Sequence, residues 1–253
     1  MGKLTNQVAL VTGSGSGLGR GIAMKLASEG ATVVIADLRE GPAQETLHLI
    51  EQAGGKGIAV QVDVSNPEAV KNAIETVVSQ LGQLDILVNN AGAPMSFTPV
   101  EEVSEELWDL MMDVNAKGPF LTSKYAVPYM KKNGKGSIIN ISSIASRRVR
   151  PGLSAYCASK GAVILLTEAL AIELANSKVR VNAINPGPAE TPMLPKFFAS
   201  MDPVEGRKLY EESVPLGRLC QPEDIANMVA YLASEEASFI TGATFNVDGG
   251  RGL

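Results

Sequence analysis

Short β-branched runs alternate with longer stretches of helical periodicity along the whole chain. VALVTG (8–13) leads into a helical pattern over about 17–29, ATVVIAD (31–37) into one over about 42–53, and GIAVQVDV (57–64) into one over about 67–81. LDILVNNAG (84–92) precedes a long helix over about 104–132, and GSIINISS (136–143) precedes one over about 154–177. VRVNAINPG (179–187) is followed late in the chain by a helix over about 222–234 and by ATFNVDGG (243–250). The runs are apolar on both faces, as strands covered by helices on each side must be. This regular alternation predicts βαβ units in an α/β fold, a doubly wound parallel sheet in three layers, α/β/α. Ligands bind such sheets at the carboxyl ends of the strands, and the motifs below all fall at such ends.

Composition narrows the function classes. The 253 residues are 45% hydrophobic and 19% charged, with 25 glycines in no three-residue period, which excludes disordered and collagenous chains. A net charge of −5, with no basic cluster larger than Arg147, Arg148 and Arg150, argues against a nucleic-acid partner. The single histidine, His48, lies in a polar helical stretch and reads as solvent-facing. Cys157 and Cys220 read as small buried residues. No metal site and no Ser-His-Asp triad is expected from so few ligands. MGKLTNQ has no apolar core of signal-peptide length, and the greasiest stretch, 162–175, is broken by Glu168 and Glu173. No stretch reaches ~18 apolar residues. The expectation is a cytoplasmic protein without a membrane partner.

Thr12-Gly13-Ser14-Gly15-Ser16-Gly17-Leu18-Gly19 joins the first strand to its helix. Glycines there allow a tight turn and close approach of a pyrophosphate, which the helix N-terminus attracts. Asp37 ends the second strand, where a carboxylate can accept hydrogen bonds from ribose hydroxyls and repel a 2′-phosphate. Neither Ser16 nor Leu38, beside that position, is basic; Arg20 and Arg39 are the cations able to swing in. The pattern favours NAD over NADP. Further along, Tyr156 and Lys160 stand four apart, on one helix face. An ammonium near a phenol should lower the phenol's pKa and make Tyr156 a proton carrier.

Taken together, TGSGSGLG (12–19), Asp63-Val64, NNAG (89–92), Asn115, Ser143, Tyr156-x-x-x-Lys160, NPG (185–187), Thr191 and TGATFNVDGG (241–250) resemble the short-chain dehydrogenase/reductase family over essentially the whole chain. The resemblance implies a Rossmann fold in a single domain, 1–253. It implies Tyr156 as general acid/base, Ser143 on the substrate oxygen, and Lys160 on Tyr156 and the nicotinamide ribose. Asn115 would hold a relay water. Gly13, Ser16, Gly17, Leu18, Gly19, Asp37 and Leu38 would hold the adenosine half of the cofactor, with Asp63 and Val64 flanking the adenine. Asn90, Ala91 and Gly92 would form the floor, and Pro186, Gly187 and Thr191 would hold the nicotinamide end. Ala189 departs from the family, which usually has Ile or Val there, and predicts a slightly looser pocket. A homotetramer is also implied.

Ala145, Leu153 and Pro94, with Met95, are expected to line an apolar substrate pocket, and 188–217 reads as a lid of short helices carrying Met193, Leu194, Phe197 and Phe198. Trp108, Met111 and Met112 read as core or subunit contacts. The arginines between Ser143 and Tyr156 are either a solvated loop or a clamp for an anionic substrate. The favoured function is NAD-dependent interconversion of a small secondary alcohol and a ketone. An NADPH-dependent 3-oxoacyl-acyl-carrier-protein reductase and a non-catalytic NAD-binding module are the alternatives.

Overall fold

The computed structural model describes residues 2–198 and 201–253. Its strands are β1 (Val8–Thr12), β2 (Thr32–Asp37), β3 (Lys56–Gln61), β4 (Ile86–Asn89), β5 (Gly136–Ile141), β6 (Val179–Pro186) and β7 (Thr244–Val247). They form one sheet in the order β3-β2-β1-β4-β5-β6-β7, and every pairing is parallel. The helices are α1 (Gly17–Ser28), α2 (Glu40–Gln52), α3 (Pro67–Leu81), α4 (Glu105–Met112), α5 (Gly118–Asn133), α6 (Ser154–Leu174), α7 (Pro203–Glu212) and α8 (Pro222–Ala233).

Successive strand side chains point to opposite faces, so a doubly covered sheet must be apolar at both parities. Ala9, Val11, Val33, Ile35, Ile86, Val88, Ile139 and Ile141 pack on one face with residues of α1, α2 and α8. Their neighbours Val8, Leu10, Val34, Ala36, Leu87 and Ile138 pack on the other with residues of α3, α5 and α6. That division is why the strand runs show no polar alternation.

Local signals place α3 where the sequence predicts it. Asn66 accepts hydrogen bonds from Glu68 N and Ala69 N at 3.0 and 3.1 Å, Pro67 opens the helix, and Gly82 ends it at φ +80°. The expected single helix over 104–132 is instead α4, a π turn at Asp113–Lys117, and α5. One extra residue in a turn shifts helical phase without breaking the apolar pattern, and such bulges favour functional sites. Asn115 sits in it. The helical stretch Ser154–Ser177, which contains α6, is long and apolar enough by length and composition to cross a membrane, yet half of its most apolar stretch is buried within the fold, and Glu168 and Glu173 interrupt it as the sequence shows.

Buried polar side chains tie the middle of the sheet to its helices. Thr122 donates to Asn89 Oδ1 at 2.6 Å, Asn89 Nδ2 donates to Asn140 Oδ1 at 2.8 Å, and Asn140 Nδ2 donates to Thr167 Oγ1 at 2.8 Å. Replacing Asn140 by leucine orphans groups on both sides. It should lower the unfolding free energy by about 2–4 kcal/mol, measured by denaturant titration, whereas Thr167→Val should cost about 1 kcal/mol.

Candidate active site

The sheet order reverses between β1 and β4, and the carboxyl ends of the strands there open on one cleft of about 840 Å³. At one end lies the glycine turn. Gly13 has φ +63°, and a Cβ on it would stand 2.8 Å from Ala91 Cα. A Cβ on Gly19 would stand 2.2 Å from Gly13 O and 2.5 Å from Asn90 Nδ2. Only glycine admits this approach of helix to strand. Ser16 caps α1 without a side-chain hydrogen bond, and no acidic residue lies in the first turn, so the helix N-terminus faces the cleft free for an anion. Asp37 is 7% exposed; its Oδ2 accepts from Gly15 N at 2.9 Å and its Oδ1 from Arg39 N at 3.0 Å. Arg20 cannot swing in, because it is held by Thr46, Glu45 and Gly15 O. Arg39 is exposed, borders the cleft and lies 3.8 Å from Asp37. A close-approach cradle followed by a buried carboxylate fits a dinucleotide.

All the remaining adenosine-side and floor residues border the cleft: Ser16, Gly17, Leu18, Leu38, Asp63, Val64, Asn90, Ala91 and Gly92. So do Pro186, Gly187 and Thr191. Some have structural work as well. Asn90 Nδ2 donates to Thr12 O and Gly13 O at 2.9 and 3.1 Å, and Asp63 accepts from Ser65 N and Oγ at 2.9 and 2.7 Å. Ala189 is tethered, since Cys220 N donates to Pro188 O at 2.9 Å and Glu190 N to Cys220 O at 2.8 Å.

The other end holds Ser143, Tyr156 and Lys160 on one wall. Ser143 Oγ accepts from Ala145 N at 3.1 Å, which leaves its own O–H available to donate. Tyr156 and Lys160 are 8% and 4% exposed. Burial pushes the Tyr156 hydroxyl up to about 12, with Ser143 acting in the opposite direction. Burial also drives the Lys160 ammonium down to about 8. The direction at Tyr156 is thus set by loss of water rather than by a neighbouring charge. Lys160 Nζ lies 5.9 Å from the Tyr156 ring centroid and donates to Ile141 O at 3.0 Å; burial is the largest influence on both groups.

Asn115 does not border the cleft. Its Nδ2 donates to Ala93 O at 3.1 Å and Ser159 Oγ at 3.2 Å, and its Oδ1 accepts from Ala93 N at 2.8 Å. Its side chain holds the loop after β4 to α6, and both amide hydrogens are occupied, so the water-holding role implied for it does not fall to the amide N–H groups.

On the substrate side, Ala145, Leu153 and Pro94 border the cleft as expected. Met95 does not: it is fully buried with Met111 beneath the wall. Met193, Leu194 and Phe197 face the cleft, while Phe198 turns away to pack on Tyr210. Ala199 and Ser200 of the expected lid lie outside the described residues. Arg148 and Arg150 border the cleft and Arg147 does not. Trp108 is exposed on α4. Cys220 is buried, but Cys157 is only half-buried, and His48 is exposed beside Gln52. Sequence reasoning missed Tyr210 and Arg251, which border the cleft from α7 and the carboxyl-terminal tail. No local motif marks either.

Comparison with known proteins agrees with the geometry. A family model described as enoyl-(acyl carrier protein) reductase matches residues 13–251. The chain is 40% identical over 250 residues to 4-formylbenzenesulfonate dehydrogenase of Comamonas testosteroni, covering 99% of both chains. It is 40% identical over 247 residues to cyclohexanol dehydrogenase of Acinetobacter sp. (strain SE19), covering 98% of this chain and 95% of that one. The crystal structure of 3-ketoacyl-(acyl-carrier-protein) reductase from Brucella melitensis, complexed with NADH, superposes with a TM-score of 0.92 at 41% identity, covering 99% of this chain and 100% of that one. A doubly wound sheet with this cleft defines a dinucleotide-fold oxidoreductase. The chain belongs to the short-chain dehydrogenase/reductase family.

The depressed Lys160 value has a consequence for stability. Between about 8 and the ordinary 10.5 the unfolded chain binds the proton that the folded chain has released, so wild-type stability gains with pH across that window. Lys160→Met should therefore be the more stable protein below pH 8, and its advantage should shrink by on the order of 3 kcal/mol as pH rises through the window. Denaturant titrations of both proteins at several pH values measure this.

Proposed function

We propose that the protein is an NAD-dependent dehydrogenase/reductase that interconverts a secondary alcohol and a ketone. The observation that carries this reading is the placement of Ser143, Tyr156 and Lys160 on one wall of the cleft, with the glycine cradle and Asp37 at its far end. The bound nicotinamide supplies or accepts the hydride. Tyr156, held protonated at neutral pH by burial, is set to give its proton to a carbonyl oxygen. Ser143 donates its free O–H to the same oxygen and steadies the charge that develops there. Lys160 borders the cleft beside Tyr156 and would hold the nicotinamide ribose. Asn115 is a positioning residue that fixes Ala93 on the cleft wall.

Asp37 supports NAD, since its buried carboxylate opposes a 2′-phosphate. The likeness to cyclohexanol dehydrogenase supports a small alcohol or ketone as the partner molecule. A 3-oxoacyl-acyl-carrier-protein reductase is the second reading, favoured by the Brucella structure; that protein was captured with NADH, so Asp37 does not separate the two readings. We also read 188–217 as a substrate lid and the exposed Trp108, Leu110, Phe120, Leu165 and Ile172 of α4, α5 and α6 as subunit contacts of a homotetramer.

A panel of secondary alcohols and ketones, each with NAD(H) and NADP(H), tests the reading. Tyr156→Phe should lower kcat by about a thousandfold on every active substrate; full activity in that variant would overturn the mechanism. Asp37→Ala should shift the kcat/KM preference toward NADP(H) by about tenfold or more, and a wild-type preference for NADPH would overturn the cofactor assignment. Because Tyr156 starts protonated, oxidation should speed up as pH rises from neutral while reduction does not; parallel pH–rate profiles in both directions check this.

A further inference from the structure

We propose that the substrate mouth contains an anion site, built by Arg148, Arg150 and Arg251 around Tyr210, that holds a carboxylate or sulfonate at the end of the substrate remote from the reacting carbon. The identity of the reacting carbon rests on the function proposed above; the anion site rests on the geometry that follows.

All four side chains border the cleft. Tyr210 is buried, and the guanidinium groups of Arg150 and Arg251 each lie 5.0 Å from its ring centroid. Arg150 also donates to the Tyr210 hydroxyl, and Arg148 donates to Arg251 O at 2.8 Å, tying the loop after β5 to the carboxyl-terminal tail. Among the described residues, none of these three arginines forms an ion pair, while Arg20, Arg207 and Arg218 all do. Asp248, the acid that acts on Arg251, accepts instead from Gly250 N and Gly252 N at 3.0 and 2.8 Å. Arg251 Nε is buried without a hydrogen-bond partner. Burial and the neighbouring Arg150 and Arg148 also push the Arg251 pKa down. Three cations that border one mouth without an ion-pair partner, two of them partly buried, form a site that an anion completes.

The same contacts set the size of the ligand. Tyr210 donates to Phe197 O at 3.2 Å, and the Phe197 ring packs edge-on against Tyr156, centroids 5.4 Å apart. One residue thus bridges the two tyrosines, and Leu153, Met193 and Phe197 make the wall between them apolar. A compact apolar body, such as one aromatic ring or a short chain, spans from Tyr156 to the arginines. The long arm of an acyl carrier would take its phosphate well beyond them.

The probe pair is 4-acetylbenzoate and its methyl ester, which share the ketone and the ring. Wild type should favour the acid in kcat/KM, and Arg150→Gln and Arg251→Gln should each lower the acid-to-ester ratio by about tenfold or more, chiefly through the KM of the acid. Arg251→Lys should restore part of it, and Arg147→Gln, outside the cleft, should leave the ratio unchanged. A wild-type preference for the ester, or a ratio that survives both glutamine variants, overturns the proposal. Calorimetry with 4-acetylbenzoate separates the two claims. If neither compound is turned over but the acid binds wild type about tenfold tighter than Arg251→Gln, the anion site stands and the alcohol–ketone reading is decided by the panel of alcohols and ketones. Equal affinity for both proteins overturns the site.

Discussion

The cleft depends on one seam, where β1 and β4 lie side by side and the chain departs from them in opposite directions. A parallel sheet has no hydrogen bonds left to close that gap above the strand ends, so side chains close it. Thr12 Oγ1 accepts from both Asn90 N and Ala91 N at 3.0 Å, while Asn90 reaches back to the carbonyls of Thr12 and Gly13. The glycine turn, the floor residues and the start of α1 are thereby held as one body. Asn115 extends that body to α6 through Ala93 and Ser159, which sets the catalytic wall relative to the floor.

Desolvation then sets the chemistry of each end. At the wall of Ser143, Tyr156 and Lys160 it raises the Tyr156 hydroxyl and weakens the hold of Lys160 on its proton, which at about 8 still leaves Lys160 mostly charged near neutral pH. At the glycine-turn end a buried carboxylate, Asp37, faces the cleft, satisfied by two backbone N–H groups. At the mouth Arg148, Arg150 and Arg251 gather without an ion-pair partner among the described residues. A carboxylate at one end of the cleft and cations at its mouth give a bound molecule a direction as well as a place.

The parts of this arrangement legible in the sequence are those whose causes are local. The strands declared themselves because burial on both faces demands apolar residues at every position, and α3 because Asn66, Pro67 and Gly82 carry its ends. The cradle was legible because the close approach at Gly13 and Gly19 admits no side chain. The π turn around Asn115 was not, because a single extra residue leaves the hydrophobic pattern intact. β4 ends at Asn89, short of the run 84–92, because Asn90 N and Ala91 N donate to the Thr12 side-chain hydroxyl instead of to a strand backbone.

The sequence by itself therefore determined the layer architecture, the family, and the glycine cradle, floor and Ser143, Tyr156 and Lys160 that border the cleft. It did so because periodicity, caps and glycine constraints act within a few residues of one another. Only the tertiary structure decided the ionisation of Tyr156 and Lys160, the inward turn of Met95, the structural duty of Asn115 and the meeting of Arg148, Arg150, Tyr210 and Arg251. Burial and charge density are sums over everything packed around a group, and the groups concerned come from the loop after β5, the helix α7 and the last residues of the chain.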